Sequence, residues 1–200
     1  MNKELAAVLI VDLQVDFCPG GSLAVEQGDT IIPLINRYVE LFHSQGVPVF
    51  ASRDWHPPVS DHFSQFGGLW PPHCIQDSAG AGFHPALRLP DDATVVSKGS
   101  DPHRDDYSAM QAVLTSGVTL AEQLKADGVT RLFMCGLATD YCVKWSALDA
   151  LREGFEVTVL MDAIKGVELT PGDSVRALEE IVGAGGELAE LAQIRKRFIV

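Results

Sequence analysis

The chain has 200 residues and a mass of 21.6 kDa, enough to bury a hydrophobic core without disulfide or metal staples, and it reads as one domain over 1–200. A net charge of −12 and a pI near 4.8, with no basic stripe, argue against a nucleic-acid or anionic-membrane partner. No stretch approaches the roughly 18 apolar residues of a membrane span, and the short apolar run of MNKELAAVLIVD ends in an aspartate rather than a cleavage site, so a cytoplasmic location is expected.

Residues 8–11 are an apolar, β-branched-rich run flanked by alanines, the pattern of a strand buried on both faces of a parallel sheet. A helical pattern over 29–44, stopped by Gly46, leads to a second strand over 47–51. From 54 to 90 the rhythm breaks: six prolines and four of the six histidines fall in a stretch with little periodicity. Long irregular loops in compact domains are usually functional, because something must offset the entropy of ordering them. Strands follow at 94–97, 131–135 and 157–161, with helices over 119–126, 140–152 and 171–182. Gly128 and Gly154 stop two of these helices, and Thr170 is the expected N-cap ahead of Pro171. The alternation predicts an α/β fold of three layers, α/β/α, around a mainly parallel central sheet.

Three groups of residues are able to carry chemistry. The first is Asp54, His56, His62 and His73, within RDWHPPVSDHFSQFGGLWPPHC. One loop histidine signifies little, but three imidazoles and a carboxylate together suit a transition metal such as Zn, Fe or Mn. Cys74 is an alternative ligand, although a thiolate there would favour a closed structural site. His84 is read as a loop or packing residue, His43 as the end of a helix, and His103 has no assigned role.

The second is Cys142 in CGLATDYCV, where a strand turns through Gly136 into a helix. A cysteine in the first turn of a helix meets free N–H groups and the positive end of the dipole, which are expected to lower its pKa. The same N–H groups suit a tetrahedral oxyanion. Cys135, inside an apolar strand, is a buried hydrophobe, and the four cysteines show no disulfide spacing. The third is a pair of strand-end charges, Asp12 and Lys98, which would meet Cys142 at the carboxyl edge of the sheet as base, cation and nucleophile.

VDLQVDFCPGGSL at 11–23, RDWHPPVSDHF at 53–63, WPPHC at 70–74, FHP at 83–85, SKG at 97–99 and CGLATDYCV at 135–143 occur in the order seen in one family. The chain resembles the nicotinamidase and pyrazinamidase branch of the isochorismatase-like cysteine hydrolases. The resemblance implies an isochorismatase-like, Rossmann-like domain that hydrolyses nicotinamide to nicotinate and ammonia, with pyrazinamide as a side substrate. It implies a catalytic triad of Asp12, Lys98 and Cys142, an oxyanion hole from the N–H groups of Ala138 and Cys142, and a ring sandwich of Phe17 and Trp70. One divalent metal ion, zinc ahead of iron or manganese, would sit on Asp54, His56, His62 and His73. A cis peptide is expected at Leu137–Ala138, with Asp16 and Asp140 as hydrogen-bonding supports. The partner implied is the small-molecule substrate, and a homo-oligomer is compatible with all of this. Tyr141 stands where some relatives carry histidine, and the SDPHRDDYSAM segment matches no single family pattern.

Overall fold

The structure, a computed structural model, describes residues 5–198. Six strands, β1 (Ala6–Val11), β2 (Val49–Asp54), β3 (Thr94–Lys98), β4 (Arg131–Leu137), β5 (Glu156–Lys165) and β6 (Glu187–Ala189), form one sheet. Their order is β3-β2-β1-β4-β5-β6, and every neighbouring pair is parallel. The helices are α1 (Ile32–Ser44), α2 (Leu120–Ala126), α3 (Lys144–Arg152), α4 (Asp173–Gly183) and α5 (Leu191–Phe198).

The period-two geometry of a strand divides β1 between two cores. Val8 and Ile10 pack with Ile35, Tyr38 and Phe42 of α1 and with Leu191 and Ile194 of α5. Ala7, Leu9 and Val11 face the other way, with Leu120 and Leu124 of α2, Ala147 and Leu148 of α3 and Ile181 of α4. Full burial of a side chain such as Leu or Phe is worth roughly 1.5–3 kcal/mol, so a strand dressed on both faces must be apolar throughout. This is the three-layer α/β/α arrangement expected from the sequence. Among the described residues no helix is long and apolar enough to cross a membrane.

The boundaries differ from expectation for identifiable reasons. β2 continues through Ser52, Arg53 and Asp54 because these residues pair with Val96, Ser97 and Lys98 of β3. β5 outlasts its apolar run because a bulge opposite Met134 and Gly136 absorbs the extra residues, and the Asp162 carboxylate accepts from the Tyr38 hydroxyl (2.6 Å) and the Leu191 N–H (3.0 Å). α4 starts at Asp173, with Gly172 at φ 89° as its N-cap, so Pro171 lies ahead of the helix. The expected cap is reversed: Asp173 accepts from the Thr170 N–H at 2.8 Å. β6 and α5 were not anticipated, the one being three residues long and the other largely polar.

Candidate active site

Parallel pairing brings the carboxyl ends of β3, β2, β1 and β4 side by side, and the chain runs outward in both directions from β1. A crevice opens at such a switch point. Lys98 and Asp54 are the last residues of β3 and β2 and sit opposite each other in register; Asp12 follows β1 directly. Cys142 sits beyond β4 in a π-helical turn, Thr139–Val143, one turn before α3.

These four side chains are buried and in mutual contact. Lys98 Nζ lies 2.8 Å from Asp12 Oδ2 and 3.4 Å from Cys142 Sγ, and it donates to Asp54 Oδ1. The Ser52 hydroxyl donates to Asp12 Oδ1 at 2.6 Å. Burying one ammonium between two carboxylates is tolerable only because the charges compensate one another. Burial pushes the Asp12 carboxyl up, although Lys98 opposes the rise. Burial also disfavours charge on Asp54, but Lys98, His56 and His73 overcome it and hold this carboxyl well below the usual range. Lys98, despite its own burial, is raised well above the usual lysine value by Asp12, Asp54 and Cys142.

One expectation is corrected here. Burial pushes the Cys142 thiol well above its usual value, and Asp12 and Asp54 add to the rise against Lys98, where a place in the first turn of a helix led to the expectation of a lowered pKa. Desolvation of the sulfur anion is the largest cause of that rise.

His56, His62 and His73 converge from the loop between β2 and β3, and one ligand-capable atom from each lies within 4.8 Å of the others. Each ring is held by Nδ1. That of His56 donates to Gly99 O (3.0 Å), that of His73 to Pro71 O (2.7 Å), and that of His62 to Asp105 Oδ1 (2.5 Å). The Nε2 atoms are thereby left for the interior, with those of His56 and His73 lying 3.6 and 3.8 Å from Asp54 Oδ2. Among the described residues His56 Nε2 is buried without a hydrogen-bond partner. An orphaned imidazole nitrogen beside two others and a carboxylate is the donor set of a cation site. Burial pushes His62 below the ordinary histidine value, with Asp105 pulling the other way, which favours the neutral ring a ligand must present. Gly99, at φ 71°, lets its carbonyl reach His56, and a Cβ there would stand 2.5 Å from the ring.

Both groups open onto one cavity of about 460 Å³, a volume that includes open solvent at its mouth. Its lining includes Cys142, Ala138, Asp54, His62 and His73, together with the aromatic rings of Phe17, Trp70, Tyr107 and Tyr141. Trp70 meets Tyr141 edge-on at 5.1 Å and donates from Nε1 to the Tyr107 hydroxyl at 2.9 Å. Phe17 lies 5.5 Å from the His73 ring. The Leu137–Ala138 peptide is cis, as the resemblance implies.

The supports are equally specific. Asp16 accepts from the Ser22 and Cys74 N–H groups, and Asp140 from those of Val167 and Glu168. Cys74 is buried outside the histidine group. His43, at the end of α1, has Asp92 at 3.0 Å, and exposed His103 pairs with Asp61 at 2.8 Å. Sequence reasoning missed four contributors: Gln14, Ser52, Asp105 and Tyr107. Gln14 is fully buried, donates to Asp54 O (2.8 Å) and Ala81 O (2.9 Å), and accepts from the Asp54 N–H (2.7 Å). Its one local signal is a polar residue two positions beyond Asp12, where the buried strand has just ended.

An Isochorismatase domain profile matches residues 6–193, and the chain belongs to that family. Within it, the chain is 41% identical to the nicotinamidase of Escherichia coli over 202 aligned positions, covering 93% of this chain and 95% of that one. The pyrazinamidase of Pyrococcus horikoshii, solved in complex with zinc, superposes with a TM-score of 0.86 at 44% identity over 94% of this chain and 99% of its own. A protein from L. infantum, solved in complex with nicotinate, gives a TM-score of 0.83 at 35% identity over 94% of each chain.

Proposed function

We infer that this chain is an amidohydrolase that converts nicotinamide to nicotinate and ammonia, with pyrazinamide as a second substrate, in one catalytic domain over 1–200. The observation that carries the reading is one cavity lined at once by Cys142, by Asp54, His62 and His73, and by the aromatic rings of Phe17, Trp70, Tyr107 and Tyr141. A flat heteroaromatic amide has a ring to sandwich, a ring nitrogen to anchor and a carbonyl to present to sulfur. The E. coli relative is a nicotinamidase and the L. infantum neighbour was solved with nicotinate, which supports the same substrate class here.

In this reading Asp12 is the base. Its carboxylate and the Cys142 sulfur lie within 4.8 Å of one another, with Lys98 touching both. A carboxyl whose pKa is raised by burial is a better proton acceptor than an exposed one. Asp12 takes the thiol proton as Sγ attacks the amide carbon, and Lys98 balances the negative charge while it moves. The carbonyl oxygen, now an anion, is held by the N–H groups of Ala138 and Cys142. Asp12 gives the proton to the departing nitrogen, ammonia leaves and a thioester remains. A water molecule then adds to the thioester with its proton passing to Asp12. Collapse expels sulfur, which recovers a proton, and nicotinate is released. Phe17 and Trp70 hold the ring.

Asp54, His56, His62 and His73 would hold one divalent ion, zinc ahead of iron or manganese, which when bound supplies a Lewis-acidic position for the ring nitrogen. The zinc in the Pyrococcus pyrazinamidase supports that preference. The enzyme would work on a free small molecule in the cytoplasm, with neither nucleic acid nor membrane as partner, and a homo-oligomeric state is compatible with this. Ammonia release from nicotinamide tests the reading. Purified protein should release it, lose the activity on chelation, regain it with zinc, and lose it in Cys142→Ala. A metallated wild type inert toward nicotinamide but active on a ureide would move the assignment to another substrate of the family.

A further inference from the structure

The segment after β3, residues 99–106, contributes no ligand to the site described above, yet it holds two of the three histidines from outside. Its first residue accepts from His56 through Gly99 O, and Asp105 accepts from His62. The segment is itself stitched down. Pro102 O accepts from the Asp61 N–H at 2.8 Å and the Ser60 hydroxyl at 3.4 Å, and Asp106 accepts from the Gly99 N–H and from Nε and Nη2 of Arg104. The three Nδ1 acceptors are unequal. Two are neutral backbone carbonyls, fixed by the main chain; the third is the carboxylate of Asp105, the only charged one.

We propose that Asp105 is the positioning residue of the metal centre, setting the tautomer and ring plane of His62 so that Nε2 faces the other two imidazoles. This rests on the metal reading given above. An imidazole offers either nitrogen to a cation, and which one is presented depends on the bond the other makes. Asp105 is the sole hydrogen-bond partner of His62 Nδ1 among the described residues. Its side chain is 60% exposed while that of His62 is 5% exposed, so the carboxylate closes the site from the solvent side. Without it the buried ring loses its outer anchor, and rotation about its side-chain bonds would turn the other nitrogen inward. Carboxylate charge also makes the imidazole a stronger donor to a cation than an amide acceptor would.

The test is zinc affinity of the metal-free protein, measured by competition with a chromophoric chelator, together with the visible absorption of the cobalt-substituted form. Asp105→Ala should bind zinc about 10–100-fold more weakly than wild type and show an altered cobalt spectrum. Asp105→Asn, which keeps an acceptor oxygen but no charge, should recover part of the affinity and most of the spectrum. Asp92→Ala, an exposed aspartate paired with His43, should match wild type. Unchanged melting of metal-free Asp105→Ala separates positioning from misfolding, and Asp105→Asn gives the same reading if the alanine variant melts early. If wild type binds zinc and His56→Ala loses it while both Asp105 variants bind normally, the proposal fails and the metal site stands. If wild type itself binds no zinc, both fall.

Discussion

Two buried clusters share the cavity and are built in opposite ways. Asp12, Asp54 and Lys98 hang from the ends of adjacent parallel strands, with Cys142 on the turn after a fourth, and opposite charges draw the group together. His56, His62 and His73 come from a loop, meet one another through ring contacts at 4.8, 5.0 and 5.4 Å between centroids, and are each fixed from behind by a separate acceptor. Asp54 belongs to both, with one oxygen on Lys98 and the other facing two imidazoles. The strand-end cluster is therefore fixed by sheet register and charge balance. The histidine cluster depends on its surroundings.

The comparison predicts effects that separate by cluster. Cys142→Ala and Asp12→Ala should each lower kcat/KM for nicotinamide by on the order of 10⁴-fold or more, while zinc affinity of the Cys142 variant stays within twofold of wild type. A parallel loss of zinc would show that the clusters are not separable. Next in size, Lys98→Ala leaves Asp12 and Asp54 buried together without a cation, and urea unfolding should show a loss of about 3–5 kcal/mol. An unfolding midpoint equal to wild type would mean that charge balance does not hold the strand ends. Gly99→Ala should leave that midpoint nearer to wild type but weaken zinc binding by about 10–100-fold, because the new Cβ would press on the His56 ring. Unaltered zinc affinity would show that the histidine loop adapts freely and would remove the contrast.

The same difference explains what could be read from the sequence. β1 and β4 were legible because strands buried on both faces are apolar runs, and α1 to α3 because Gly46, Gly128 and Gly154, each at positive φ, end them. Asp12 and Lys98 stood out as charges where apolar strands end, Cys142 as a cysteine where a strand turns into a helix, and Asp54 as the carboxylate beside the loop histidines. Their supports did not. Gln14 and Ser52 act across 40 positions of sequence and Asp105 across 43, so no local spacing reveals them. The pKa of Cys142 also escaped, because position before a helix is a local property whereas desolvation is set by the whole packed site.

The smallest expected effect lies on the aromatic wall of the cavity. Tyr107 packs against His62 and Tyr141, at 5.9 and 5.7 Å between ring centroids, and its hydroxyl accepts the Trp70 indole N–H. Tyr107→Phe keeps the ring and removes that one acceptor, which is worth about 1 kcal/mol net, so the Trp70 face of the cavity should loosen without collapsing. In the binding mode proposed above this wall meets the ring of the substrate and not its amide, so the loss should fall on binding alike in ground and transition states. KM for nicotinamide should rise about fivefold with kcat unchanged. A fall in kcat with KM preserved would place Tyr107 with the strand-end cluster, since only a group acting on the reacting atoms gives that pattern.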